Sequence, residues 1–105
     1  MEKLVFRHKT MRRLAGTRKQ IIVGVVASGN LEALFERNLA DEDCVVEIAT
    51  AIQGYSAVWA EVIADFVERR SPGGLHISIN DGGARPDTVA LRLAQGSRLM
   101  EEDEA

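Results

Sequence analysis

With only one cysteine, Cys44, the chain has no means of forming an intrachain disulfide. Val45 and Val46 beside it mark a packed thiol, and Asp41, Glu42 and Asp43 are the opposite of the cationic surroundings a reactive thiolate needs. Histidine is nearly as scarce. His8 and His76 stand far apart without a thiol or carboxylate constellation at ligand spacing, so no metal site is expected. No apolar run approaches the length of a membrane span. Met1-Glu2-Lys3 leads into a short alternating segment, not into the apolar core of a signal peptide. A cytoplasmic protein with no membrane partner is the expectation. The familiar catalytic signatures are missing too: there is no phosphate-loop lysine motif, no nucleophile-elbow pentapeptide and no metal-ligand pair at helical spacing. A net charge of −3 and a pI of about 5.4 argue against nucleic acid as a partner.

What remains is 105 residues with a hydrophobic fraction of 46%, enough for a single compact domain over 1–105 and one core. Its charge is unevenly spread. Arg7, His8, Lys9, Arg12, Arg13, Arg18 and Lys19 crowd the N-terminal part, and Glu101, Glu102, Asp103 and Glu104 end the chain. Such blocks are ordinarily a solvated basic loop and a flexible acidic tail, here from about residue 97 to 105. The functional alternative is that the basic segment docks on an acidic partner or steers toward a phosphate-bearing cofactor.

The apolar pattern changes period along the chain. Leu4–His8 alternates as a short strand, with Leu4, Phe6 and His8 on one face. Thr10–Lys19 is a basic connector that bends at Gly16-Thr17. Gln20–Ala27, with β-branched Ile21, Ile22, Val23, Val25 and Val26, reads as a central strand covered on both faces and interrupted at Gly24. Leu31–Glu36 returns as its hairpin partner, and Val45–Thr50 is a further strand expected antiparallel to its predecessor. Val58, Trp59, Val62, Ile63, Phe66 and Val67 then recur at helical spacing, with Ser56 as an N-cap and Ser71-Pro72-Gly73-Gly74 as the stop. Leu75–Asn80 is a half-buried strand. Pro86 and Asp87 open a second helix striped by Val89, Ala90, Leu93 and Ala94, expected to fade near Gly96. The class is α+β: a mainly antiparallel sheet of about four to five strands with two helices packed on one face.

The chemistry narrows to the tripeptide between the first two long strands. Ser28-Gly29-Asn30 places a hydroxyl at the tip of a hairpin, because Gly29 takes the positive φ a tight turn demands. A two-residue loop pairs Ser28 with Leu31, and a three-residue loop swings the hydroxyl to the other face; both leave it at the tip. Taken alone the tripeptide is a turn, and no histidine is placed by sequence to activate the serine as a nucleophile. Asp81 and Asp87 bracket a glycine pair as turn and cap residues do. No catalytic residue is expected.

The run Val23-Gly24-Val25-Val26-Ala27-Ser28-Gly29-Asn30-Leu31-Glu32 resembles the attachment segment of malonate decarboxylase acyl carrier proteins (delta subunits). Ile79-Asn80-Asp81-Gly82-Gly83-Ala84-Arg85-Pro86 with Val89–Gln95 resembles that family's last strand, loop and helix, and Ala57-Val58-Trp59 its central helix. The resemblance implies that Ser28 carries a 2′-(5″-phosphoribosyl)-3′-dephospho-coenzyme A group through a phosphodiester, installed by a dedicated prosthetic-group transferase, with Gly29 and Asn30 supporting the turn. It further implies that the terminal thiol carries acetyl, that an acyl-transferase subunit exchanges acetyl for malonyl, and that decarboxylase subunits release carbon dioxide. Asn30 stands where the family leads one to expect aspartate. Two other readings remain: a citrate lyase-type carrier, and a non-covalent adaptor in which Ser28 is only a turn residue.

Overall fold

The computed structural model describes residues 1–104. Five strands form one mixed, mostly antiparallel sheet, and two helices complete an α+β domain. In chain order the elements are β1 (Glu2–Lys9), β2 (Gln20–Gly24), β3 (Leu31–Arg37), β4 (Asp43–Thr50), α1 (Ser56–Arg70), β5 (Leu75–Asp81) and α2 (Pro86–Met100). Across the sheet the order is β1-β4-β5-β3-β2.

Strand β4 is not antiparallel to its predecessor. It pairs antiparallel with β1 and parallel with β5, while β5 separates it from β3. A parallel pair needs a long crossover, and α1 supplies it between β4 and β5. The sequence pattern marks each strand but carries no information about which neighbour it takes.

Register places one set of side chains on a common face. Leu4 lies opposite Ile48, Ile48 opposite Ile79, Ile79 opposite Ala33, and Ala33 opposite Val23. This row and the next, with Phe6, Val46, Ile77 and Phe35, join Trp59, Ile63, Phe66, Val89, Leu93 and Met100 of the helices in one hydrophobic cluster. Cys44 is fully buried in it, and burial pushes its thiol up to about 12.

Two expectations about strand and helix limits are corrected. The run Gln20–Ala27 is not a central strand covered on both faces: β2 is an edge strand that ends at Gly24, and Ile22 is 62% exposed. Gly24 has φ +79, and a Cβ there would lie 2.1 Å from the Leu31 carbonyl oxygen, so the backbone itself breaks the ladder. Helix α2 does not fade at Gly96 but runs to Met100. Gly96 is buried under Phe35, whose ring would lie 2.2 Å from an added Cβ. The glycine is there for close packing, not as a stop signal.

Helix α2 starts at Pro86 as expected, but the start of α1 differs. Ser56 is the first residue of α1, not its cap; the N-cap position is Tyr55, with no side-chain cap bond. Ser71 ends α1 in the left-handed region at φ 46, returning its N–H to the Val67 carbonyl.

The basic connector and the acidic end meet each other. Arg18 donates to Glu102 Oε1 at 2.9 Å, Thr17 and Arg18 donate their N–H groups to the Glu102 carbonyl, and Lys19 N–H donates to Glu104 Oε1. Arg37 reaches the carbonyl oxygens of Leu14 and Met100, both at 2.6 Å, and tightens the same clasp. Part of the basic charge is thus spent inside the chain, on the segment from residue 97 read as a flexible tail; its last residue, Ala105, lies outside the described residues.

Candidate functional site

One end of the sheet gathers the pieces that the sequence singled out. The last rung of β2 with β3 is Gly24 opposite Glu32, and Leu31, Asp81 and Thr50 are successive register partners across β3, β5 and β4. Both helices begin at this end, because α1 follows β4 and α2 follows β5.

Residues 25–30 form the connection, so the loop is six residues long and neither short-loop register holds. Ser28 does not pair with Leu31. The Asn30 N–H donates to the Ala27 carbonyl at 3.0 Å, which closes a four-residue turn with Ser28 and Gly29 at its corners. Gly29 has φ +76, the conformation such a turn needs at its third residue. Ser28 is exposed, as the sequence led us to expect, and a Cβ on Gly29 would meet nothing within 4 Å. The space beside the hydroxyl is open.

A second loop holds the first. The Gly29 N–H donates to the Gly82 carbonyl at 3.1 Å, and the Gly82 N–H donates to the Asn30 carbonyl at 2.9 Å. This two-bond staple requires close backbone approach: a Cβ on Gly82 would lie 2.3 Å from the Ala27 carbonyl oxygen. Asp81 anchors the stapling loop from below. It is 6% exposed, its Oδ2 accepts from Thr50 Oγ1 at 2.8 Å, and its Oδ1 accepts from the Ala84 N–H at 2.9 Å. Those bonds occupy the carboxylate in holding a turn. Asp81 and Asp87 are not brought together as an acid–base pair by any contact among the described residues.

Asn30 turns inward. Its Oδ1 accepts from the Leu31 N–H at 2.8 Å and lies 3.4 Å from Arg92 Nε. An aspartate here would set a carboxylate against Arg92; the amide keeps the geometry without the charge. Val25 and Val26, 55% and 53% exposed, lead into the turn, so an apolar surface precedes the serine. The sequence reading put those valines inside a strand.

Asp81 is the turn residue the sequence led us to expect, whereas Gly82 and Arg92 are members of this site that sequence reasoning missed. The glycine pair after β5 was the available signal, but a turn explains it equally well until Ala27 is seen beside it. We expect Gly82→Ala to push the two loops apart at a local cost of about 1–3 kcal/mol. Hydrogen exchange should then show the Gly29 amide losing its protection while the amides of β4 and β5 keep theirs. Unchanged protection at Gly29 would mean that the staple does not hold the turn.

The other candidates stay apart. His76 lies between Glu47, with Nε2 to Oε2 at 2.5 Å, and Glu36, with Nδ1 to Oε1 at 3.9 Å. No group of three or more metal-ligating side chains occurs among the described residues. No helix is long and apolar enough to cross a membrane.

Comparison with known proteins gives one answer. The family model described as malonate decarboxylase delta subunit matches residues 18–99. A malonate decarboxylase acyl carrier protein from Bradyrhizobium diazoefficiens is 60% identical over 103 residues, covering 98% of each chain. Another from Burkholderia cepacia is 47% identical, covering 81% of this chain and 78% of its own. A chain in the crystal structure of a Pseudomonas malonate decarboxylase hetero-tetramer in complex with malonate superposes with a TM-score of 0.82 at 32% identity, over 95% of this chain and 99% of that one. The chain belongs to the family of malonate decarboxylase acyl carrier proteins, the delta subunits.

Proposed function

We propose that this chain is the acyl carrier subunit of a malonate decarboxylase, and that Ser28 is the anchor of a covalently bound 2′-(5″-phosphoribosyl)-3′-dephospho-coenzyme A. The observation that carries this reading is the exposed Ser28 hydroxyl beside the open space at Gly29, on a turn fixed from behind by Gly82. The open space fits a bulky phosphodiester and the close approach of a modifying enzyme's backbone. When bound, the group supplies a terminal thiol whose acyl thioester withdraws electrons from the carbon that loses carbon dioxide.

The chain's own residues act by position. Gly29 gives the turn its positive φ, Asn30 ties the turn to β3 through the Leu31 N–H, and Gly82 holds the turn to the loop between β5 and α2. Tethering on a rigid turn raises the concentration of the acyl group at each partner's active site to the millimolar range. The partners are the acyl-transferase and decarboxylase subunits, together with the prosthetic-group transferase. The exposed pair Val25 and Val26 beside the turn is the surface they meet first. We place both helices on the core-bearing face of the sheet, which leaves the other face, with Val5 and Ile22 exposed, available to the assembled complex.

Cys44 makes the test simple. It is the chain's only cysteine, it is fully buried, and its thiol stays protonated well above neutral pH because burial raises its pKa. The native unloaded chain should therefore give no thiol that reacts within minutes with an aromatic disulfide reagent at pH 8. Chain purified from a cell that holds the transferase, and stripped of acyl groups by hydroxylamine, should give one per chain. Peptide mass should place the added group on Ser28. An unmodified mass from such cells, or an adduct on another residue, overturns the reading.

A further inference from the structure

Beside the stapled loops, between the first turns of α1 and α2, lies a groove of about 300 Å³. Its deep walls are Trp59 and Val89, 6% and 3% exposed, and Val62. Its rim is formed by Ile52 and Tyr55, 44% and 53% exposed, with Arg85 at the mouth. Asp81 and Thr50 also line it, but the carboxylate is already bonded to Thr50 Oγ1 and the Ala84 N–H, so it offers a ligand little. The groove is therefore an apolar slot with one cation at its entrance.

Its position relative to Ser28 decides what it is for. Gly82 holds Gly29 by a hydrogen bond of 3.1 Å, and the residues on either side of Gly82, Asp81 and Gly83, line the groove. Following the bonded atoms from Ser28 through Gly29 to Gly83 covers no more than about 10 Å. A group tethered at Ser28 thus has its anchor within about 10 Å of a residue that lines the groove.

We infer that this groove is the resting berth of the arm carried on Ser28, receiving its thiol-bearing end and attached acetyl group while Arg85 faces the phosphates. The inference rests on the carrier reading above. Three features favour the chain's own arm over a partner's side chain. The tether holds it at millimolar effective concentration, so even a weak apolar contact is mostly occupied. The arm's phosphates complement Arg85 in charge, and among the described residues Arg85 has only Asp87, at 3.7 Å and on the exposed surface, as an ion-pair partner. The slot is small, as a narrow aliphatic amide arm requires. Berthed, the thioester is screened from water and stray nucleophiles between visits to the partners.

The test uses acetylated chain bearing the group, with the adduct on Ser28 verified by peptide mass. Trp59 is the chain's only tryptophan and lies in the groove wall, so its emission should shift on loading. Ala84→Phe and Val58→Phe, on opposite walls, fill the slot and should each abolish that shift. An arm berthed about four-fifths of the time is open to attack one-fifth of the time, so either variant should speed hydroxylamine cleavage of the thioester about fivefold. With the adduct confirmed on Ser28, an unshifted Trp59 emission and equal cleavage rates overturn the berth and leave the carrier reading intact. An adduct that is absent or elsewhere overturns both.

Discussion

Ser28→Ala leaves a folded chain that carries nothing. Its mass is that of the bare polypeptide even from cells holding the transferase, and the reconstituted complex loses malonate decarboxylation by about 10²–10⁴-fold, the advantage that tethering confers. The physical grounds are local. Ser28 is exposed, and the bonds that shape its turn come from backbone atoms of Ala27, Gly29, Asn30 and Gly82 and from the Asn30 side chain, so the methyl of alanine disturbs none of them. Unfolding free energy should move by no more than about 0.5 kcal/mol, as for other surface substitutions. Equal denaturation midpoints with an absent adduct would separate loss of an anchor from loss of fold. Ser28→Cys is the matching control. It places a thiol on the same open turn, where maleimide should label it within minutes while Cys44 stays silent. A Ser28→Ala chain that keeps its adduct, or a complex that keeps its rate, rules the anchor out.

Gly96→Ala should destabilise the protein, against the usual sign. In an exposed helix interior the change from glycine to alanine is worth about 1 kcal/mol in favour of alanine. Here the new Cβ would lie 2.2 Å from the Phe35 ring, and that ring is fully buried between β2, β5 and α2 with no exposed end to swing away. Overpacking of this kind costs about 1–3 kcal/mol, more than the helix gains. The expected net loss is about 1–2 kcal/mol, which in a domain of this size lowers the melting temperature by about 5–15 °C. Phe35→Leu in the Gly96→Ala background should recover part of the loss, with a coupling of at least about 0.5 kcal/mol in a double-mutant cycle. A more stable Gly96→Ala chain would show that α2 stands further from the sheet.

These two positions show how far the residues alone could be followed. Ser28 was legible because serine, glycine and asparagine between two apolar runs make a turn, and because the surrounding ten residues resemble a known segment. Gly96 was read as the fading of a helix, since a glycine near a chain end lowers helical propensity and no pattern within α2 reveals an aromatic ring from β3 pressed against it. Val25 and Val26 misled for a related reason. Their β-branching favours a strand, but Gly24 at φ +79 ends the ladder before them, and the local composition does not say where a partner strand stops. The alternation in Leu75–Asn80 gave the right buried face, with Leu75, Ile77 and Ile79 inward, because a half-covered strand writes its exposure into every second residue.

Periodicity and turn chemistry, which act between residues near in sequence, determined by themselves that this is an α+β domain with an amphipathic helix after its fourth strand and an exposed serine on a glycine turn. Only the tertiary structure decided that β5 inserts between β3 and β4, that the serine loop has six residues instead of two or three, and that Gly82 reaches across to hold it. The reason is the range of the forces. Strand order, and a glycine chosen so that two distant backbones can touch, depend on hydrogen bonds and packing between residues about fifty positions apart. No short window of sequence contains both partners.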